Sequence, residues 1–264
     1  MSFNAELVAE HIVNWLDDYS EKSGVDSFVV GVSGGIDSAV TATLCARTGR
    51  KTHIVNMPIH QAQSELSRSD ELIGQLVSEF ENVSSINVSL TETYDCLKDS
   101  LPLVEDQSGG LALANTRARL RMTTLYALAQ ERGALVVGTG NKIEDFGVGF
   151  FTKYGDGGVD LSPIADLVKS EVYLVGKVVG VPNSIMNAAP TDGLWGDDRN
   201  DEDQIGASYP ELERAMAQAE KIANGELTQG ELIGREAEVF EIYSRLNRIN
   251  QHKMNPIPVC IIPR

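Results

Sequence analysis

"FVVGVSGGIDSAV", Phe28–Val40, decides how the chain is read. An apolar run gives way to Ser-Gly-Gly, then to an acid at Asp37 inside a helix-forming segment. A glycine-rich turn between a strand and a helix suits bound phosphate. Gly34 and Gly35 let backbone amides approach an anion, and the helix N-terminus adds partial positive charge. Ser33 and Ser38 can donate hydroxyl hydrogen bonds to phosphate oxygens. The pattern is not the common P-loop, which ends in Gly-Lys-Ser/Thr. Here a carboxylate stands where that cation would be. Asp37 should repel a phosphate unless a cation lies between them. Mg2+ shared by Asp37 and a polyphosphate is the simplest solution. The alternative is that Asp37 caps the helix.

Upstream of this stretch, Phe3, Leu7, Val8, Ile12, Trp15, Leu16 and Tyr19 recur at helical spacing and predict a helix that stops at Gly24, with Trp15 in the core. Downstream, the pattern alternates. A helix over 37–47 is followed by a strand in "THIVNMP", a polar helix over 63–80, and a strand in "VSSINVSL". Then come a long helix in "GLALANTRARLRMTTLYALAQERG" and a strand in "ALVVGTG", again ending in a glycine turn. Repeated β–α alternation predicts a doubly wound parallel sheet flanked by helices, with ligands beyond the carboxyl ends of the strands. "GVGFFTKYGDGGVDLSP" has no periodicity and reads as a long shaped loop. "ADLVKSEVYLVGKVVGV" reads as a helix. Polar, acidic Thr191–Ile205 reads as a mobile segment that orders over the active site and feeds a helix near Asp201. Two further helices are expected over 210–223 and about 229–250, before an extended tail.

The chain has 264 residues, 42% of them hydrophobic and 23% charged, which suits one large globular domain. Its net charge of -16 argues against a general nucleic-acid binder and means that an anionic substrate must be met by local cations or amides. Cys45, Cys96 and Cys260 are far apart, without Cys-x-x-Cys, and read as buried thiols in a reducing compartment. The acid-containing N-terminus is not a signal peptide, and no apolar run approaches membrane-spanning length. The protein is read as soluble and cytoplasmic. His11, His53 and His60 lack metal-ligand spacing.

"SGGIDS" resembles the pyrophosphate-binding signature of the N-type ATP pyrophosphatases, shared by NAD, GMP and asparagine synthetases and tRNA thiolases. The second half narrows the choice. "GTGNKIEDF" followed by "GFFTKYGDGGVDLSPIADLVKSEV" closely resembles ammonia-dependent NAD synthetase, with "NTRARLRM", "APTDGLW", "DEDQIGASYPELE" and the late "HK" in family order. The resemblance covers nearly the whole chain. Relative to the common pattern, one extra residue lies between Glu144 and Lys153, which bears on the geometry of Asp145–Gly149.

The resemblance implies an adenine nucleotide alpha hydrolase-like fold, a single domain over 1–264 without a fused glutaminase domain, and a homodimer. It implies a two-step ligase reaction, the last of NAD biosynthesis. ATP adenylylates the nicotinate carboxylate of deamido-NAD with loss of pyrophosphate, and ammonia then displaces AMP. By the same resemblance, Gly31, Val32, Ser33, Gly34, Gly35, Ile36, Asp37 and Ser38 form the ATP loop. Thr139, Lys169 and Thr191 also contact ATP. Asp37 and Glu144 hold Mg2+. Arg119, Lys153, Asp160, His252 and Lys253 bind deamido-NAD. Asp156 receives ammonium and helps it lose a proton, since a nucleophilic amine must be neutral. The residues alone also admit plainer roles: a surface helix lysine at Lys169, a solvated basic face at Arg119, a turn aspartate at Asp156. Two other readings stay open: a tRNA thiolase, which would need a basic surface and a working cysteine, and a non-catalytic nucleotide sensor, which would have lost Asp37 and Glu144.

Overall fold

The computed structural model describes residues 3–104, 106–190 and 200–263. Among them, four parallel strands form one sheet: β1 (Ser27–Val32), β2 (Lys51–Asn56), β3 (Val83–Asn87) and β4 (Leu135–Val137), in the order β3-β2-β1-β4. The chain winds outward from β1 through β2 to β3, then returns to place β4 on the other side of β1. This reversal opens a crevice beyond the carboxyl ends of β1 and β4. Both glycine turns lie there.

The strands sort their side chains by alternation. Phe28, Val30 and Val32 point into the larger core, under α1 (Ala5–Ser23), α2 (Ile36–Arg47), α3 (Gln63–Glu79) and α6 (Lys169–Val179). Val29 points to the opposite face, covered by α4 (Thr91–Ser100) and α5 (Gln107–Arg132). Phe28, Val29 and Val30 are fully buried, and each such side chain contributes about 1.5–3 kcal/mol. The helix stop expected at Gly24 is an αL cap, with φ 71°.

A separate small core joins the C-terminal helices to the site. It is built from α8 (Asp201–Ile205), α9 (Tyr209–Ala223), α10 (Gly234–Met254) and a π-helical turn at Ile143–Val148. A short α7 (Asn183–Met186) follows α6.

Several expectations need correction. Trp15 is not core: it is 40% exposed and leans on Tyr19, because Ile12 and Leu16 carry the inward stripe of α1. Cys45 is buried, but Cys96 and Cys260 are exposed. The strand expected through Gly140 ends at Val137, where Leu161 bridges the open edge of β4 in parallel and its carbonyl accepts from Gly138 N–H. The last helix starts at Gly234 after a 3-10 turn, Gln229–Glu231. Residues 191–199, with Thr191, Trp195 and most of the expected mobile segment, lie outside the described residues. From Asp201 that segment is helical, because Asn200 caps α8 through Asp203 N–H and Ile205 is buried in the small core. No helix among the described residues is long and apolar enough to cross a membrane.

Candidate active site

The turn after β1 is braced by its own hydroxyls. Ser38 Oγ donates to the Gly35 carbonyl (3.0 Å) and accepts from Ser33 N–H (3.2 Å), while Gly35 N–H donates to Ser33 Oγ (3.3 Å). Gly34 has φ +81°, a conformation that favours glycine. The N-cap of α2 is Gly35, with no side-chain cap, so Asp37 is not the capping residue. It lies one step into the helix. The first amides of α2 therefore face the crevice without a side-chain acceptor.

Asp37 joins a cluster drawn from four parts of the chain. Lys169, the first residue of α6, places its ammonium between two carboxylates, 2.5 Å from Asp37 Oδ2 and 3.0 Å from Glu144 Oε1. Asn141 Nδ2 donates to Asp37 Oδ1 at 3.2 Å. Tyr209 OH donates to Glu144 Oε1 at 2.6 Å and lies 3.4 Å from Asp201 Oδ2. The Tyr209 ring also faces the Lys169 ammonium, 4.6 Å from its centroid. Lys169 is 4% exposed, so it is not a surface lysine. A cation at a helix N-terminus opposes the helix dipole, and the two carboxylates offset that cost.

The charges respond to one another. Burial pushes the Lys169 pKa down, but the pull of Asp37 and Glu144 outweighs it and the net shift is upward. Burial raises Glu144, yet Lys169 and the Tyr209 hydroxyl bring it below the usual carboxylate range. Asp37 goes the other way: burial outweighs the attraction of Lys169, and Glu144 repels it. One ammonium cannot fully offset two carboxylates, and Glu144 has the extra donor. Tyr209→Phe would remove that donor and is expected to cost about 1–2 kcal/mol. Equilibrium urea unfolding would check it; an unchanged midpoint would contradict the bond.

Asp37, Glu144, Lys169 and Asp201 line one cleft of about 240 Å³, together with the rest of Gly31–Ser38, Thr139, Gly140, Asp145 and Asp156. Asp156 Oδ1 accepts from Thr152 N–H at 2.9 Å. Its carboxyl is pushed up to about 6, first by desolvation and then by Glu144, against the Thr152 hydrogen bond. Asp156 is nevertheless an exposed residue of the cleft lining, so solvent screens this shift. Asp145, next to Glu144, is pushed up to about 8 by burial and by the charges of Glu144, Asp156 and Asp37. The π-turn carries both Glu144 and Asp145, and such turns take up an added residue within a helical turn. The extra residue seen in sequence falls in this neighbourhood.

Four of the other candidates gather at a rim beside the cleft, outside its lining. Arg119 Nε donates to the Lys153 carbonyl at 3.3 Å, and Lys153 Nζ bonds the His252 carbonyl. Lys253 Nζ donates to the carbonyls of Gly149 (2.7 Å) and Phe151 (2.9 Å). Asp160 is placed apart, accepting from Tyr126 OH and Val136 N–H. Thr191 lies outside the described residues. Sequence reasoning missed Asn141, Tyr209, Asp201, Arg68 and Arg121. Four of these were inside quoted motifs, "GTGNKIEDF", "NTRARLRM" and "DEDQIGASYPELE".

Whether magnesium fits can be judged from the donors. Mg2+ takes oxygen ligands, usually one or two carboxylates plus phosphates and water. Asp37 and Glu144 supply two carboxylates that already meet at one cation. Among the described residues no three His, Cys, Asp or Glu side chains converge to hold a metal, so phosphate and water would complete the shell. The residues fit a phosphate-accompanied ion.

Known proteins resemble the chain along nearly its whole length. A family model described as NAD synthase matches residues 8–257. The NH(3)-dependent NAD(+) synthetase of Mesoplasma florum is 36% identical over 247 residues, 93% of each chain. The solved NMN synthetase of Francisella tularensis aligns over 99% of both chains, with TM-score 0.82 and 31% identity. The NH3-dependent NAD synthetase of Campylobacter jejuni covers 98% of this chain and 100% of its own, with TM-score 0.78; at 23% identity it speaks to the fold alone.

Proposed function

The chain belongs to the NAD synthase family, and from that premise we propose that it makes NAD from deamido-NAD, ATP and free ammonia, as a single domain. The observation that carries the reading is the meeting of the Ser33–Ser38 turn with Asp37, Glu144 and Lys169 in one cleft. Its similarity to relatives named for NH3 runs along nearly their whole length and supports ammonia as the nitrogen donor.

A carboxylate is a poor electrophile, so the nicotinate carboxylate attacks the α-phosphate of ATP and pyrophosphate leaves. Ammonia then attacks the adenylylated carboxyl and AMP leaves. The glycine turn and the α2 amides hold the phosphates. Thr139 and Thr191 hold ATP, and Lys169 moves from the two acids toward phosphate. Asp37 and Glu144 would hold Mg2+, which supplies charge stabilisation at the phosphates when bound. Asp156 accepts a proton from ammonium. Arg119, Lys153, Asp160, His252 and Lys253 serve deamido-NAD. Three cations at one rim, Arg119, Lys153 and Lys253, suit the phosphates of a dinucleotide too long for the cleft alone. A cytoplasmic homodimer completes the reading. Among the described residues the three cysteines are free thiols, and Leu7, Trp15 and Tyr19 leave an apolar stripe exposed on α1.

A second reading is amidation of the mononucleotide, favoured by the full-length likeness to the Francisella tularensis NMN synthetase. One assay separates these: ATP, Mg2+ and either deamido-NAD or nicotinate mononucleotide, with ammonium chloride or ammonia-free glutamine. We expect NAD from deamido-NAD and ammonium, a rate at fixed total ammonium that rises with pH, and no product from glutamine. Comparable rates with glutamine would overturn ammonia dependence; faster turnover of the mononucleotide would select the second reading.

A further inference from the structure

The proposed reaction brings a triphosphate into a strongly acidic chain. Among the described residues, the cleft is lined by six carboxylates and by three basic side chains, Arg68, Arg121 and Lys169. Lys169 is held by Asp37 and Glu144. Arg121, from α5, braces the end of β2 by donating to the Met57 carbonyl (3.1 Å) and Gln61 Oε1 (2.9 Å).

Arg68 is directed at the phosphate turn itself. It rises from α3, and its Nε donates to the Gly34 carbonyl at 3.1 Å. The helix packs closely on that turn: a methyl group at Gly34 would meet Glu65 O at 2.7 Å and Arg68 Cβ at 3.3 Å. The guanidinium is therefore fastened beside the amides that face an anion. α3 follows β2, so Arg68 approaches the turn from the β2 side. Glu144 and Asp156 follow β4 and approach from the other side. The turn is flanked by the two groups, with the ammonia-receiving carboxylate on the far side from Arg68.

We infer that Arg68 is a further catalytic residue, binding the part of ATP that leaves as pyrophosphate; this rests on the proposed reading of the cleft. The bond between the α-phosphorus and the bridging oxygen breaks as the carboxylate oxygen attaches. The electron pair goes to pyrophosphate, where negative charge grows. A planar guanidinium donating to those oxygens stabilises that charge without moving a proton.

The test is calorimetric binding of ATP, AMP and inorganic pyrophosphate, each with Mg2+, to wild type, Arg68→Gln and Arg68→Lys. Unliganded melting temperatures and wild-type NAD formation from ammonium are measured alongside. Arg68→Gln should weaken ATP and pyrophosphate about tenfold or more, leave AMP unchanged, and melt only slightly below wild type through loss of the bond to the Gly34 carbonyl. Arg68→Lys should retain part of the affinity. Should Arg68→Gln melt early, the ratio of pyrophosphate to AMP affinity in Arg68→Lys decides. Unchanged pyrophosphate affinity, or AMP weakened as much as ATP, would overturn the inference. A wild type that binds ATP yet makes no NAD defeats the parent reading and leaves the Arg68 comparison legible.

Discussion

Lys169→Met is expected to lose both stability and turnover. The ammonium is buried, and its two carboxylate partners are each 17% exposed. Removing it leaves two acids facing each other without a counter-ion. Breaking a buried pair in this way costs about 3–5 kcal/mol. The pH dependence follows from the signs. The Lys169 pKa is raised in the folded state. Its contribution is thus complete below its unfolded value of about 10.4 and is lost only as pH rises through the folded value. The Glu144 pKa is lowered. Its contribution is present above its unfolded value and is lost as pH falls through the folded one. The gap between wild type and Lys169→Met should therefore persist from pH 5 to pH 9, roughly, and narrow in acid as the carboxylates protonate. Urea unfolding across that range would measure it. Equal midpoints at neutral pH would show that the ion cluster does not hold these elements together.

The cluster explains which parts of the protein were legible in the sequence. The strand, glycine turn and helix of Ser27–Arg47 were readable because their signals are local: an apolar run, two glycines, then helix formers. The parallel sheet followed from alternation. α4 was not read, because "TETYDCLKDS" is short, mostly polar and buries only Tyr94. The motifs gave Asp37, Glu144 and Lys169 as candidates, but not that Lys169 sits between the acids, because that contact spans 132 residues to Asp37 and 25 to Glu144. Tyr209 was not singled out, lying just ahead of the helix expected over 210–223. Its role depends on the small C-terminal core packing α9 beside the π-turn, a long-range contact that no local pattern encodes. Arg68 was hidden for the same reason, in a helix read only as polar and charged.

Asp37→Asn should separate stability from catalysis at the same cluster. Two carboxylates and one ammonium carry a net charge of -1 by count, and neutralising Asp37 brings that to zero. The Asp37 pKa is raised, because burial outweighs the attraction of Lys169 and Glu144 repels it. The sign is therefore opposite to that of Glu144. Its favourable contribution is present below its unfolded pKa and is lost as pH rises through the folded value, so its charge is held at a cost near neutrality. Removing that charge relieves the cost. Against this, asparagine has one acceptor oxygen, where Asp37 now accepts from both Asn141 and Lys169. One of those bonds is lost. The two effects oppose each other, so stability should change by no more than about 1 kcal/mol, the scale of one hydrogen bond. Turnover should behave quite differently. Loss of a group that only supports a metal ligand already costs about 10–100-fold, so loss of the proposed ligand itself should cost at least a hundredfold, roughly. NAD formation across a magnesium titration, with urea unfolding of the same preparation, reads both effects. Near-wild-type turnover at ordinary magnesium would remove Asp37 from the site. A stability loss as large as that of Lys169→Met would show that charge balance does not govern the cluster.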